Sequence, residues 1–247
     1  MNANGNGLPP KDAGETRVVY LGGDQLHNYV GQRQSIQSVL GKTGWRLLFT
    51  QDARYVTPEV VNDTDLLIIT RWGGAVEGWC PTPFQEGPME RDGYMSDELE
   101  EAIVDNVVNR GMGFMALHCT CWSPELTKLN ETMGIEGIMH GPVQDVSMYN
   151  FNPDHPISEG IDDFVMPLDE NFGVILKNPD AVPLYETLGA QDKRHDIAGW
   201  ALESGNGRVV GLVAGHSHTG WRHASYKTLY WRGAHWALKR DIPEFAQ

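Results

Sequence analysis

Hydrophobic positions along the first half of the chain alternate between two textures. Short, nearly unbroken apolar runs bounded by glycine or polar turns occur at residues 17–22 (RVVYLG), 45–50, 65–70 (DLLIIT) and 111–117 (GMGFMAL). Runs of this length read as strands buried on both faces of a parallel sheet. Between them, Val30, Ile36, Val39 and Leu40 recur at helical spacing over 28–42, and Leu99, Ile103, Val107 and Val108 do so over 96–110, behind Ser96 as an N-cap. Thr57 to Val61 opens a further short helix, with Pro58 at its first turn. This alternation predicts an α/β fold with a central, largely parallel sheet flanked by helices.

Beyond Trp122 the texture loosens. Ser123 to Leu126 starts a short helix, 143–151 alternates as a more exposed strand, and 164–168, 184–188, 198–202 and 209–214 read as further strands. Gly205 to Arg208 is a hairpin turn, and 226–238 is a C-terminal helix that packs Leu229, Trp236 and Leu238 inward. Residues 17–240 form one domain, between an N-terminal tail over 1–16, polar and rich in Gly, Pro and Asn, and a C-terminal tail over 241–247. An irregular insertion over 75–95, with Pro81, Pro83 and Pro88, leaves from a strand end; it is a lid or a partner surface, which leaves a homo-oligomer open.

The chain has 247 residues and a formal net charge of -14. That charge argues against nucleic acid or an anionic membrane as a partner, since both need clustered Lys and Arg, and favours a small-molecule substrate. No apolar run reaches the length of a membrane span, which leads to the expectation of a cytoplasmic protein. Cys80, Cys119 and Cys121 are too few for a disulfide framework and are expected as free thiols.

Several chemistry-bearing side chains stand just past predicted strands: Asp24 and His27, Trp72, His118 with Cys119, and His216 with His218. In open α/β sheets the carboxyl edge of the strands is where ligands bind. The ordered set of a Gly-rich turn with a histidine after the first strand, Gly113-Phe114-Met115-Ala116-Leu117-His118-Cys119, Asp154-His155-Pro156-Ile157, Asp169-Glu170, and Gly207-Arg208-Val209 running into Gly215-His216 resembles the ThuA-like (trehalose-utilisation) family. The resemblance implies a flavodoxin-like sheet of the class I glutamine amidotransferase type and a role in sugar catabolism on glycosides or their 3-keto derivatives. It also implies that His27, His118, Glu170 and His216 cluster in a pocket, with His140 matching a histidine of many members. The 75–95 insertion and His218 depart from that pattern.

Three imidazoles and a carboxylate suit Zn²⁺ first, with Mn²⁺ or Fe²⁺ also accommodated. His27, His118, Glu170 and His216 are accordingly the expected metal ligands, lying outside the buried runs, and Asp24, His140 or His218 the proton-transfer base. Trp72, Trp122 and Trp221 are candidate platforms for a sugar face. These assignments predict hydrolysis, isomerisation or elimination on a trehalose-type glycoside. Two other readings compete: a cysteine hydrolase of the amidotransferase type using Cys119, and a non-catalytic sugar-binding protein that needs the tryptophans alone.

Overall fold

The computed structural model describes residues 8–24, 27–72 and 95–245. Most of the 75–95 insertion, Cys80 included, and residues 1–7 of the N-terminal tail lie outside the described residues.

Strands β1 (Arg17–Gly22), β2 (Arg46–Thr50), β3 (Leu66–Thr70), β4 (Gly113–Leu117) and β11 (Gly207–Leu212) form a parallel centre in the order β2-β1-β3-β4-β11. Both faces of this centre are covered. Along β1, Val19 and Leu21 pack into one core layer and Val18 and Tyr20 into the other; Leu67 and Ile69 against Leu66 and Ile68 do the same in β3. That two-sided burial is why the strands read as continuous apolar runs. Helices α2 (Pro58–Asn62), α3 (Asp97–Val108) and α4 (Thr127–Met133) lie on the first layer, and α1 (Tyr29–Leu40) and α5 (Ala224–Ala237) on the second. Ser96 caps α3 as expected, accepting from the Leu99 amide, and Asn28 accepts from the Gly31 amide to start α1.

The second half extends the sheet antiparallel, through β10 (His195–Ser204), β9 (Val182–Gly189), β6 (Val143–Asn150) and β7 (Phe164–Glu170). Gly205 and Asn206 make the two-residue turn of the β10–β11 hairpin, with Gly205 at φ +59°. A small ribbon of β5 (Ile135–Ile138) and β8 (Gly173–Leu176) attaches to β10. Neither ribbon strand stands out in the sequence, because each has four residues and little alternation. The pairing of β6 with β7 is broken by a register shift between Gln144 and Val146, across from the segment where Leu168 takes φ +52°. Such bulges bend and twist a strand pair. The end of β7 meets the carboxyl edge of the parallel centre, where Asp169 and Glu170 reach Gly215 and His118, although β7 stands at the far margin of the strand order.

The described part of the N-terminal tail has no helix or strand, yet it is held against the domain. Lys11 pairs with Asp65, Leu8 packs on the core, and fully buried Arg17 bonds the Pro9 carbonyl, Glu15 and Asp63. Among the described residues no helix is long and apolar enough to cross a membrane.

Candidate metal centre

Each element at the carboxyl edge delivers one polar side chain to a common point. β1 exits through the Gly23 turn to Asp24 and His27, β4 ends directly at His118, and β7 ends at Glu170. β11 runs through Val213 and Ala214 to Gly215 and His216. Ligand atoms of His27, His118, Glu170 and His216 all lie within 4.8 Å of one another. Nε2 of His118 is 3.0 Å from Nε2 of His27 and 3.5 Å from Oε2 of Glu170, while Nδ1 of His216 is 3.2 Å from the same oxygen. This convergence is buried: His118 is 0% exposed and His27 8%. The four lie outside the buried apolar runs, as expected, although His27 and His118 are themselves buried while Glu170 and His216 are partly exposed.

The outward-facing nitrogens of two of the rings are committed. Nδ1 of His27 is 2.7 Å from Oδ1 of Asp24, and Nδ1 of His118 is 2.9 Å from the Val213 carbonyl oxygen. Both partners only accept, so in the neutral rings each Nδ1 carries the proton and each Nε2 presents a lone pair. Nδ1 of His216 is buried and makes no hydrogen bond, despite its closeness to Glu170. Burial keeps the His118 imidazole neutral, lowering its pKa against the pull of Glu170. Burial also opposes ionisation of Glu170, but His118 and His216 beside it prevail and hold its carboxyl well below the usual range. The His216 imidazole is desolvated too, yet Glu170 more than compensates and raises its pKa.

The backbone at this edge is shaped for the purpose. His118 has φ +50°, a left-handed conformation that costs a non-glycine residue about 1–2 kcal/mol. The sharp turn after the central strand is thus filled by the histidine, and Cys119 follows it with its thiol against Asp24 and His27. That thiol is 3% exposed and 3.6–3.7 Å from Asp24, His27 and the Thr70 carbonyl. Burial, with Asp24 next in effect, pushes its pKa well up, the opposite of what a thiolate nucleophile requires. Cys119 and Cys121 are both free and buried.

Among the proposed bases, Asp24 is engaged with the His27 ring and accepts from the Trp72 amide at 3.2 Å. His140 reaches the other carboxylate oxygen of Glu170, its Nδ1 3.5 Å from Oε1, and packs at 4.6 Å on Phe172 with the rings tilted by 53°. Phe172, which the sequence pattern did not single out, also meets the His118 ring edge-on at 5.0 Å. His218 is exposed and lies against Gly31 of α1, outside the cluster. Trp72 and Trp122 are partly exposed and stack on each other at 5.7 Å and 13°. Trp221 is a correction: its indole is 0% exposed, packs on Tyr226 and Tyr230, and donates to the Gly215 carbonyl at 2.6 Å, so it cannot meet a sugar.

Residues 17–237 match the family described as trehalose utilisation, ThuA. The chain belongs to the ThuA family. No curated protein matches the sequence. The fold is shared with a ThuA-like protein of Parabacteroides merdae, at 14% identity and TM-score 0.69 over 93% of this chain and 92% of that one. It is shared too with a cytoplasmic protein of Salmonella typhimurium LT2, at 12% identity and TM-score 0.62 over 90% and 99%. A glutamine amidotransferase of Thermotoga maritima aligns at 12% identity and TM-score 0.50 over 81% and 76%. The ThuA fold here is thus of the glutamine amidotransferase-like type, as the sequence pattern predicts.

Proposed function

We propose that this ThuA-family chain is a metal-dependent enzyme of sugar catabolism that acts on a glycoside or 3-keto-glycoside of the trehalose type. The observation that carries the metal is the facing pair of Nε2 lone pairs on His27 and His118, 3.0 Å apart, with a carboxylate and the unbonded Nδ1 of His216 around them. Lone pairs so placed repel unless a proton or a metal ion joins them, and a three-imidazole, one-carboxylate set suits Zn²⁺, with Mn²⁺ and Fe²⁺ as alternatives. When bound, such an ion acts as a Lewis acid on a carbonyl or activates water. The chain's own residues supply the rest. Asp24 and the Val213 carbonyl fix which nitrogen of His27 and His118 is protonated. His140, partly exposed beside Glu170, is the better placed of the candidate bases, because Asp24 is committed to His27 and His218 stands apart. The stacked indoles of Trp72 and Trp122 offer a flat apolar surface of the kind sugar rings occupy.

The test joins metal content to turnover. Zn, Mn and Fe are quantified in purified protein, and conversion of trehalose-type glycosides and their 3-keto forms is followed before and after chelation. Stoichiometric metal with activity lost on stripping and regained on reloading is expected. Full activity in stripped protein would refute the metal. Sugar binding without turnover in the loaded protein would return the non-catalytic reading.

A further inference from the structure

Four backbone groups of the turn that carries His216 are held by buried side chains. The Ala214 carbonyl accepts from the Tyr226 hydroxyl and the Gly215 carbonyl from the Trp221 indole N–H. The Gly215 amide donates to both carboxylate oxygens of Asp169, at 3.1 and 3.0 Å, and the His216 amide donates to Oδ1 at 3.1 Å. The same Oδ1 accepts from the Glu170 amide at 2.8 Å. One carboxylate, 0% exposed, therefore ties together the backbones of two members of the cluster that come from different strands, one ending β7 and one following β11. Gly215 sits at φ +132°, and a Cβ there would come within 3.1–3.2 Å of Trp221 and Tyr226, so the turn has no room to shift toward them.

A carboxylate is costly to bury, and a neutral residue would pack the same space. Only an acceptor with two oxygens meets four amide contacts at once. We propose that Asp169 is the positioning residue of the cluster, fixing His216 relative to Glu170; this rests on the reading of the cluster as a metal site. It touches neither ion nor substrate and acts through the two backbones that it joins.

Asp169→Asn keeps the shape but replaces one oxygen with a donor that faces the Gly215 amide, and Asp169→Ala removes all four contacts. In Co²⁺ titrations of folded protein, dissociation constants are expected to rise about 10-fold for the first and up to about 100-fold for the second, the range found for outer-shell partners. The visible Co²⁺ bands, which report coordination geometry, are expected to change with them. Wild-type affinity and bands in both variants would overturn the proposal. If neither variant folds, Trp221→Phe tests the same turn from its carbonyl side, with a several-fold rise expected and no change counting against. If wild-type protein takes up no metal, the metal reading fails by itself. Crystal structures of the variants then decide this one: His216 displaced from Glu170 upholds it, and an unmoved ring overturns it.

Discussion

The proposed binding of a metal at this cluster carries a consequence for heat stability, set by where the four side chains come from. His27, His118, Glu170 and His216 follow four different strands and converge only once the sheet and its curled extension are in place. The unfolded chain has no comparable site, so an ion that binds them adds its binding free energy to folding. At a free concentration 100 times its dissociation constant, that amounts to about 2.7 kcal/mol. A chain of this length shifts its midpoint by roughly 2–4 °C per kcal/mol, so Zn²⁺ added to stripped protein is expected to raise Tm by roughly 5–10 °C. Differential scanning calorimetry after dialysis against chelator measures it, with Mn²⁺ and Fe²⁺ (the latter without oxygen) in parallel. His118→Ala, which removes the most buried ligand, is expected to abolish the shift while leaving a cooperative transition. No shift in wild-type protein with any of the three ions would refute the reasoning, as would an equal shift in the variant.

Cys119→Ser is expected to keep most of the turnover, since the buried thiol supplies no thiolate; an inactive, folded serine variant would restore the cysteine-hydrolase reading. Trp221→Ala should cost about 3–5 kcal/mol in denaturant unfolding, as befits a fully buried indole. Trp122→Ala should cost less stability than Trp221→Ala, since the half-buried indole packs on the core margin and on Trp72, and should weaken sugar affinity up to about tenfold, from about 0.5–1.5 kcal/mol of lost aromatic contact; unaltered affinity would remove Trp122 from the substrate surface. Burial lowers the pKa of His155, His223 and His235, so each binds its proton less readily folded than unfolded. Their contribution is full above the unfolded value of about 6.5 and drains as pH falls through it. Replacing buried His235 with Phe should therefore make Tm of stripped protein fall less steeply between about pH 8 and 5.5, and an unchanged slope would count against it.

The parallel centre was legible because burial on both faces leaves a compositional mark: 65–70 and 111–117 contain little besides apolar residues, and they became β3 and β4. The histidines were legible for a related reason, since a polar side chain directly after such a run has only the carboxyl edge to occupy. The rest depended on tertiary contacts. Trp72, Trp122 and Trp221 look alike in sequence, each following a strand, and only the packing of Tyr226 and Tyr230 around Trp221 separates it from the exposed pair. Asp169 stood beside Glu170 in the motif without any sign that its carboxylate would face backbone amides at 215–216. The β5–β8 ribbon, which leads the chain toward His140 and Phe172, is too short for periodicity to register.

The scattering of the cluster along the chain also sets an order of events. No two of its members are near neighbours in sequence, and His27 cannot meet His216 until the chain has been synthesised past His216 and the parallel strand β11 has docked beside β4. Loops of that length close late and slowly. On the proposed metal reading, an ion therefore does not seed folding here as it does in a zinc finger, whose ligands lie close together: it would enter only a sheet that is already built, and would from then on act as a latch, slowing the departure of β7 and β11 from the carboxyl edge.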